Sequence, residues 1–123
     1  MFVIPVADLN SQSLEAELDN LVFYIVLDWN DTGQYWTMSI RNSSYQTLID
    51  GISLSANYPL TWQFRYSDMP PGELMILTVN YTNGPIPRDG FISGKYILVY
   101  QEYADLVAQG SMPEYGETSP IVI

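Results

Sequence analysis

"LVFYIVLDWNDTGQYWTMSI", residues 21–40, is the stretch on which the fold turns. Apolar side chains recur at every second position through Leu21, Phe23, Ile25, Leu27 and Trp29, and again after Gly33 at Trp36, Met38 and Ile40. A period of two is that of a β-strand, so the stretch reads as two strands joined by a turn. Val22, Tyr24 and Val26 make the second side of the first strand apolar too, which predicts a central strand covered on both faces. The joining residues, "DWNDTG" at 28–33, have two readings. Oxygen side chains at Asp28, Asn30 and Asp31 before a glycine open like a calcium loop. Such a loop requires a bidentate acid at its twelfth position, because calcium takes roughly six to eight oxygens. Counted from Asp28 that position is Ser39, and residues 35–40 alternate as a strand where the motif demands a helix. A turn accounts for the same residues: Asn30 suits its first position, Asp31 and Thr32 its middle, and Gly33 the left-handed residue. The reading is a hairpin.

Outward from this hairpin the same period persists. "SLEAEL" at 13–18 puts Leu14, Ala16 and Leu18 on one face and Ser13, Glu15 and Glu17 on the other, a half-buried strand that Asp19 and Asn20 turn into the next. "LIDGISL" at 48–54 is a strand whose Asp50–Gly51 pair marks either a tight hairpin or a bulge. "LTWQFRY" at 60–66 alternates, with Leu60, Trp62, Phe64 and Tyr66 on one face. "LMILTVNY" at 74–81 and "KYILVYQEY" at 95–103 complete the set. Between them "SDMPPGE" and "TNGPIPRDG" cannot continue a ladder, because proline lacks the amide donor. About seven short strands so spaced predict an all-β fold, a single-domain antiparallel β-sandwich or barrel over residues 1–102. Residues 103–123 form an irregular C-terminal tail: "ADLVAQG" suits one or two helical turns, and the rest is rich in proline, glycine and acids yet ends in Ile121, Val122 and Ile123. That apolar end either folds back or docks elsewhere.

Composition narrows the chemistry. The chain has 123 residues, no cysteine and no histidine, which removes disulfides, thiolate chemistry, the commonest general base and the commonest zinc ligand. Four basic against fourteen acidic residues give a net charge of −10, which repels nucleic acid and anionic membranes. "MFVIPVADLN" is apolar but lacks a preceding cation, is broken by Pro5 and soon meets Asp8, so it reads neither as a signal peptide nor as a span. The expectation is a soluble protein that is not secreted by the usual route.

Three tryptophans and ten tyrosines beside many carboxylates suggest a sugar-binding platform. Parity argues otherwise: Trp29 is in phase with Leu21 to Leu27, Trp36 with Met38 and Ile40, and Trp62 with Phe64, so all three are predicted in the core. Tyr24, Tyr35, Tyr58 and Tyr66 remain candidates for an exposed patch. A glycosidase needs two carboxylates roughly 5–10 Å apart, one with a raised pKa. Nothing singles out such a pair among fourteen acids, and Glu15 and Glu17 read as a solvated strand face. Lys95, the only lysine, lacks a Ser-x-x-Lys spacing, and no glycine-rich loop precedes a helix. The expectation is no catalysis and no cofactor.

The series of features resembles the baseplate plug family of contractile-tailed phages, of the cyanophage type. It is carried by "DWN…G..W…I" at 28–40, "LIDGISL" at 48–54, Leu60, "MPPGEL" at 69–74, "PRDG" at 87–90 and "KYILVY" at 95–100, together spanning roughly residues 12–102. The resemblance implies an all-β structural virion protein of the tail baseplate, made in the host cytoplasm and packed against the hub and central spike proteins. It implies no catalytic residue. A trimeric homo-oligomer within the baseplate is compatible with it. The tail from Tyr103 lies outside the resembling pattern.

Such a part needs projecting loops and apolar patches that are covered on assembly. Proline-stiffened loops lose less entropy on docking than floppy ones. The candidate partner contacts are therefore Met69, Pro70 and Pro71 in the first loop, Pro85 and Pro87 in the second, and Tyr103, Leu106, Met112, Tyr115, Ile121, Val122 and Ile123 in the tail. Each loop serves as contact or as mere connector. The alternative functions are a small carbohydrate-binding β-sandwich module and a β-sandwich hydrolase, the former requiring exposed indoles and the latter a cleft with converging carboxylates.

Overall fold

The computed structural model describes residues 1–61, 69–78 and 86–108. Seven strands and one short helix lie among them: β1 (Phe2–Ile4), β2 (Ser11–Leu18), β3 (Leu21–Asn30), β4 (Tyr35–Arg41), β5 (Thr47–Ser53), β6 (Glu73–Thr78), β7 (Tyr96–Gln101) and α1 (Tyr103–Ala108). β2-β3-β4-β5 form an antiparallel meander, and β1-β7-β6 form a second antiparallel sheet. No strand pairs across the two sheets among the described residues, so the fold is a sandwich rather than a closed barrel.

The hairpins obey their turn chemistry. Asp19 and Asn20 stand at φ 52° and 69°, and Leu18 pairs with Leu21 around them. That two-residue geometry matches the right-handed twist of the strands, and Asp and Asn tolerate it better than bulkier residues. The β3–β4 connection is longer. Asn30 pairs with Tyr35, and the left-handed residue is Gln34 at φ 59°, not Gly33 as the sequence suggested. At Gly33 a β-carbon would stand 2.7 Å from Cδ1 of Tyr35, so a larger residue there requires that ring to shift. The Asp50–Gly51 pair is a bulge, with Gly51 at φ 66° and register shifts on either side of Ile40. Ser39 Oγ accepts the Gly51 N–H at 2.9 Å and donates to Asp50 Oδ1 at 3.1 Å, which explains why this outward-phased serine is buried.

The core lies between the sheets. Phe23, Ile25 and Leu27 of β3, with Trp36, Met38 and Ile40 of β4, meet Ile4, Leu74, Ile76, Leu98 and Tyr100 of the other sheet. Each such side chain removed from water contributes about 1.5–3 kcal/mol. Residues 57–60 close the free side of β6, Asn57 N donating to Ile76 O at 2.6 Å and Leu60 N to Leu74 O at 3.0 Å. Of the predicted 60–66 strand, Leu60 and Thr61 are buried outside any strand, and 62–66 lie outside the described residues, as do 79–81 of the strand after it.

Two expectations about faces change. Val22, Tyr24 and Val26 are half-buried rather than covered, since that side of the meander carries no second layer among the described residues. The sheet that is apolar on both faces is the other one. Register and alternation place Val3, Val99 and Met75 in one row and Ile97 and Leu77 in the next, all opposite the core. Val99, on this outer face, is nevertheless fully buried and stands outside the central cluster, so part of the face is already covered.

Candidate functional site

The hairpin tip spends its oxygens on itself. Asp28 Oδ1 accepts the Ser11 hydroxyl at 2.6 Å, Asn30 Oδ1 accepts Gly33 N–H at 2.9 Å, and Asp31 Oδ1 accepts Trp29 Nε1–H at 3.3 Å. Gln34 N–H closes the turn on Asn30 O at 2.7 Å. Among the described residues no three acids converge as a cation site would require. The stretch is a connection between strands.

Trp36 is 1% exposed, its ring against Phe91 at 5.6 Å and Trp29 at 5.4 Å. Its Nε1 donates to Pro87 O at 3.2 Å, which satisfies the polar edge of a buried indole. Trp29 is half-buried against the same cluster, and Trp62 lies outside the described residues. Of the described indoles, Trp36 is in the core as expected, whereas Trp29 is only partly withdrawn from solvent. The four tyrosines do not gather into a patch that the structure shows: Tyr24 meets Tyr45 edge-on at 5.1 Å, Tyr35 accepts from Asn30 Nδ2 at 3.1 Å, Tyr58 is exposed, and Tyr66 lies outside the described residues.

The two proline loops are held differently from floppy connectors. In the first, Met69 belongs to the core, Pro70 is buried and Pro71 is half-buried. Glu73, 2% exposed, accepts Thr61 N–H at 2.7 Å and Thr61 O–H at 2.6 Å through one carboxylate oxygen. That carboxylate is built into the scaffold. In the second loop Ile86 is buried and Pro87 is exposed, while Pro85 lies outside the described residues. Arg88 pins this loop to residues 8–10: its Nη1 donates to Asp8 Oδ1 at 2.9 Å, its Nε to Asn10 Oδ1, and its guanidinium stands 5.7 Å from the Trp36 ring centre.

The chain after β7 is fastened by two acids. Asp19, at the β2–β3 turn, accepts the Tyr100 hydroxyl at 2.5 Å and Tyr103 N–H at 3.1 Å, and the same hydroxyl accepts Gly72 N–H at 2.7 Å. Asp105 of α1 accepts the Met1 ammonium; this bond holds the ammonium above its ordinary pKa and the carboxyl below its own. Leu106 is buried and Tyr103 half-buried. Met112, Tyr115, Ile121, Val122 and Ile123 lie outside the described residues.

Sequence reasoning missed β1 and the groove beside it. Where β1 parts from β7, Val3, Pro5 and Val6 face Phe91, Tyr96 and Ile97 across a groove of about 200 Å³. The signal was "FVIPV", three apolar residues before a proline, too short for periodicity to register.

The model of one protein family, described as "Cyanophage baseplate Pam3 plug gp18", matches residues 1–103. The match takes in every described strand and ends at the first residue of α1. The chain belongs to this cyanophage baseplate plug family. A search of curated proteins finds no match to the chain.

Proposed function

We propose that this baseplate plug family member is a structural virion protein that fills the centre of a contractile-tail baseplate, packing against the central hub and spike and catalysing nothing. The observation that carries the reading is the family match over residues 1–103, which is the whole sandwich. The interior supports it. The buried acid Glu73 and the buried indole of Trp36 are bonded within the chain, so they serve as framework and not as reagents. A part lodged among rigid neighbours works through its outline, and an outline is reproducible when the loops that draw it are pinned.

Pro71, Pro87 and Tyr103 are the described candidates for partner contact, with Met69, Pro70 and Leu106 holding their loops from beneath. The C-terminal segment, with Met112, Tyr115, Ile121, Val122 and Ile123, is the proposed anchor on a neighbouring subunit. Pro85 belongs with the second loop. A trimer within the baseplate and a place in the virion tail follow from the same reading.

Co-purification tests it. Expressed beside the hub and spike proteins, the full chain is expected to copurify with them, and a chain ending at Ala108 is expected to keep its urea midpoint while losing most incorporation. Equal incorporation of the shortened chain would remove the anchor role. No association of the full chain with either protein would remove the plug role itself.

A further inference from the structure

The outer side of the β2-β3-β4-β5 sheet carries a cation without a counter-charge. Arg41 ends β4 on the face opposite the core, half-buried beside Tyr24 of β3 and Thr47 of β5. Fourteen acids share the chain with four cations, and Arg88 has its acid in Asp8. No carboxylate stands within ion-pair distance of Arg41 among the described residues. Glu15 lies in the same row but two strands away, about 9–10 Å by the spacing of paired strands.

The guanidinium is nonetheless set in place. Its Nη1 donates to Thr47 Oγ1 at 2.8 Å, and its centre stands 4.6 Å from the Tyr45 ring centre. That ring meets Tyr24 edge-on, and its hydroxyl donates to Ser13 Oγ on β2 at 3.4 Å. The turn that delivers Tyr45 is held by Asn42 Oδ1, which accepts Ser44 N–H at 3.0 Å and Gln46 N–H at 2.9 Å. Tyr45 itself is left-handed, at φ 62°, a conformation that costs a bulky residue more than it costs glycine or asparagine. Strain spent on a ring that stays 48% exposed points to use rather than to stability.

What the arginine leaves unmade defines the ligand. Nε is withdrawn from solvent without an acceptor, and Nη2 has no acceptor among the described residues either. These two N–H groups share one edge of the planar fork, and such an edge holds a carboxylate through two parallel bonds. One carboxylate oxygen reaches Nη2 directly, and a small rotation of the guanidinium brings the other to Nε. A net charge of −10 repels phosphate-rich polyanions, so the fitting ligand is a single acid among neutral groups. Sites for small molecules are concave, whereas this one is the side of a sheet, so the acid arrives on a protein.

We infer that Arg41, with Tyr24 and Tyr45 beside it, seats an aspartate or glutamate side chain of a neighbouring baseplate protein. This rests on the plug reading and adds a contact apart from the proline loops and the tail. A charge pair of this kind fixes partner and register at an interface.

Hydroxyl-radical labelling of Tyr45 is expected in the free chain and is expected to fall about fivefold or more in purified phage tails, where a partner excludes water. Arg41→Gln should enter tails about tenfold less or worse. Arg41→Lys keeps the charge without the fork and should enter better than Arg41→Gln. It also supplies an amine that a carbodiimide joins to a touching carboxylate, and in tails the cross-link from position 41 should run to an Asp or Glu of another baseplate protein. Equal labelling of Tyr45, normal entry of Arg41→Gln, or no such cross-link overturns the inference and leaves the plug reading standing. A cross-link to a second copy, or to the chain's own C-terminal segment, overturns it as well. Should Arg41→Gln lower the urea midpoint, labelling and cross-linking decide. Absence of the chain from tails sinks both readings together.

Discussion

Replacing Tyr100 with phenylalanine removes one oxygen from the place where four parts of the fold meet. The Tyr100 ring is fully buried, and its hydroxyl donates to Asp19 Oδ2 at 2.5 Å while accepting Gly72 N–H at 2.7 Å. Asp19 is the β2–β3 turn, Gly72 belongs to the first proline loop, Tyr100 is on β7, and Asp19 also accepts Tyr103 N–H at the start of α1. A hydrogen bond to a charged group is worth about 1.5–3 kcal/mol and a neutral one about 0.5–1.5 kcal/mol. The ring stays, so little cavity forms, and the expected loss is roughly 2–4 kcal/mol. At about 3–5 °C per kcal/mol for a chain of this size, Tm should fall by roughly 6–20 °C. Urea unfolding followed by tryptophan fluorescence gives the free energy directly. Asp19→Asn is the partner variant, because asparagine keeps the positive φ of the turn while losing the charge. The cycle of both changes should show coupling of about 1 kcal/mol or more. A Tyr100→Phe loss below about 0.5 kcal/mol would mean that this junction does not hold the sheets together, and the reasoning would fail.

Other outcomes follow from the same geometry. Gly72→Ala should destabilise by about 3 kcal/mol or more, because its β-carbon would overlap Gln101 O and stand 2.5 Å from the Tyr100 hydroxyl. Gly51→Ala should lose only about 1–2 kcal/mol in the same unfolding assay, since φ is positive there but the space is open. Arg88→Ala should destabilise by about 1–2 kcal/mol and raise acrylamide quenching of tryptophan, as the loop over Trp36 loosens. The Met1–Asp105 pair predicts a pH dependence at both ends of the scale. The depressed Asp105 pKa contributes stability above the unfolded value of about 4 that disappears as pH falls through the folded value. The raised Met1 pKa contributes stability below about 8 that disappears as pH rises through the folded value. Urea midpoints of Asp105→Asn should accordingly lose part of both the acid and the alkaline limb, and unchanged limbs would count against the pair.

How far the sequence could be read depended on whether a residue's role was local. β2 and β4 were legible because one face of the meander is more buried than the other, so Leu14 to Leu18 and Trp36 to Ile40 alternate visibly. β7 was found as a strand, yet its faces were not, because Ile97 and Val99 are as apolar as Leu98 and Tyr100. β1 was missed, since its three residues become a strand only by pairing with Val99 and its neighbours at the other end of the chain. Gly33 draws the left-handed dihedral in the sequence reading, but Gln34 adopts it, while Gly33 packs against the Tyr35 ring; sequence does not separate those two uses of glycine. In the site, proline marked the loops correctly but could not show that Met69 and Pro70 point inward while Pro87 stays exposed.

The order of strands links these misses to the function. The chain begins in the β1-β7-β6 sheet, leaves it for the whole of the other sheet, and returns to pair its last strand with its first. That long-range closure makes folding slower than a run of hairpins, because loop entropy is lost before the contacts that offset it are made. It also means that the groove beside β1 exists only once Phe2–Ile4 has found β7 and Arg88 has drawn the second proline loop onto residues 8–10. The ordering cost of that surface is then met during folding. A chain that fails to close its ends therefore lacks both this surface and the pairing of β1 with β7.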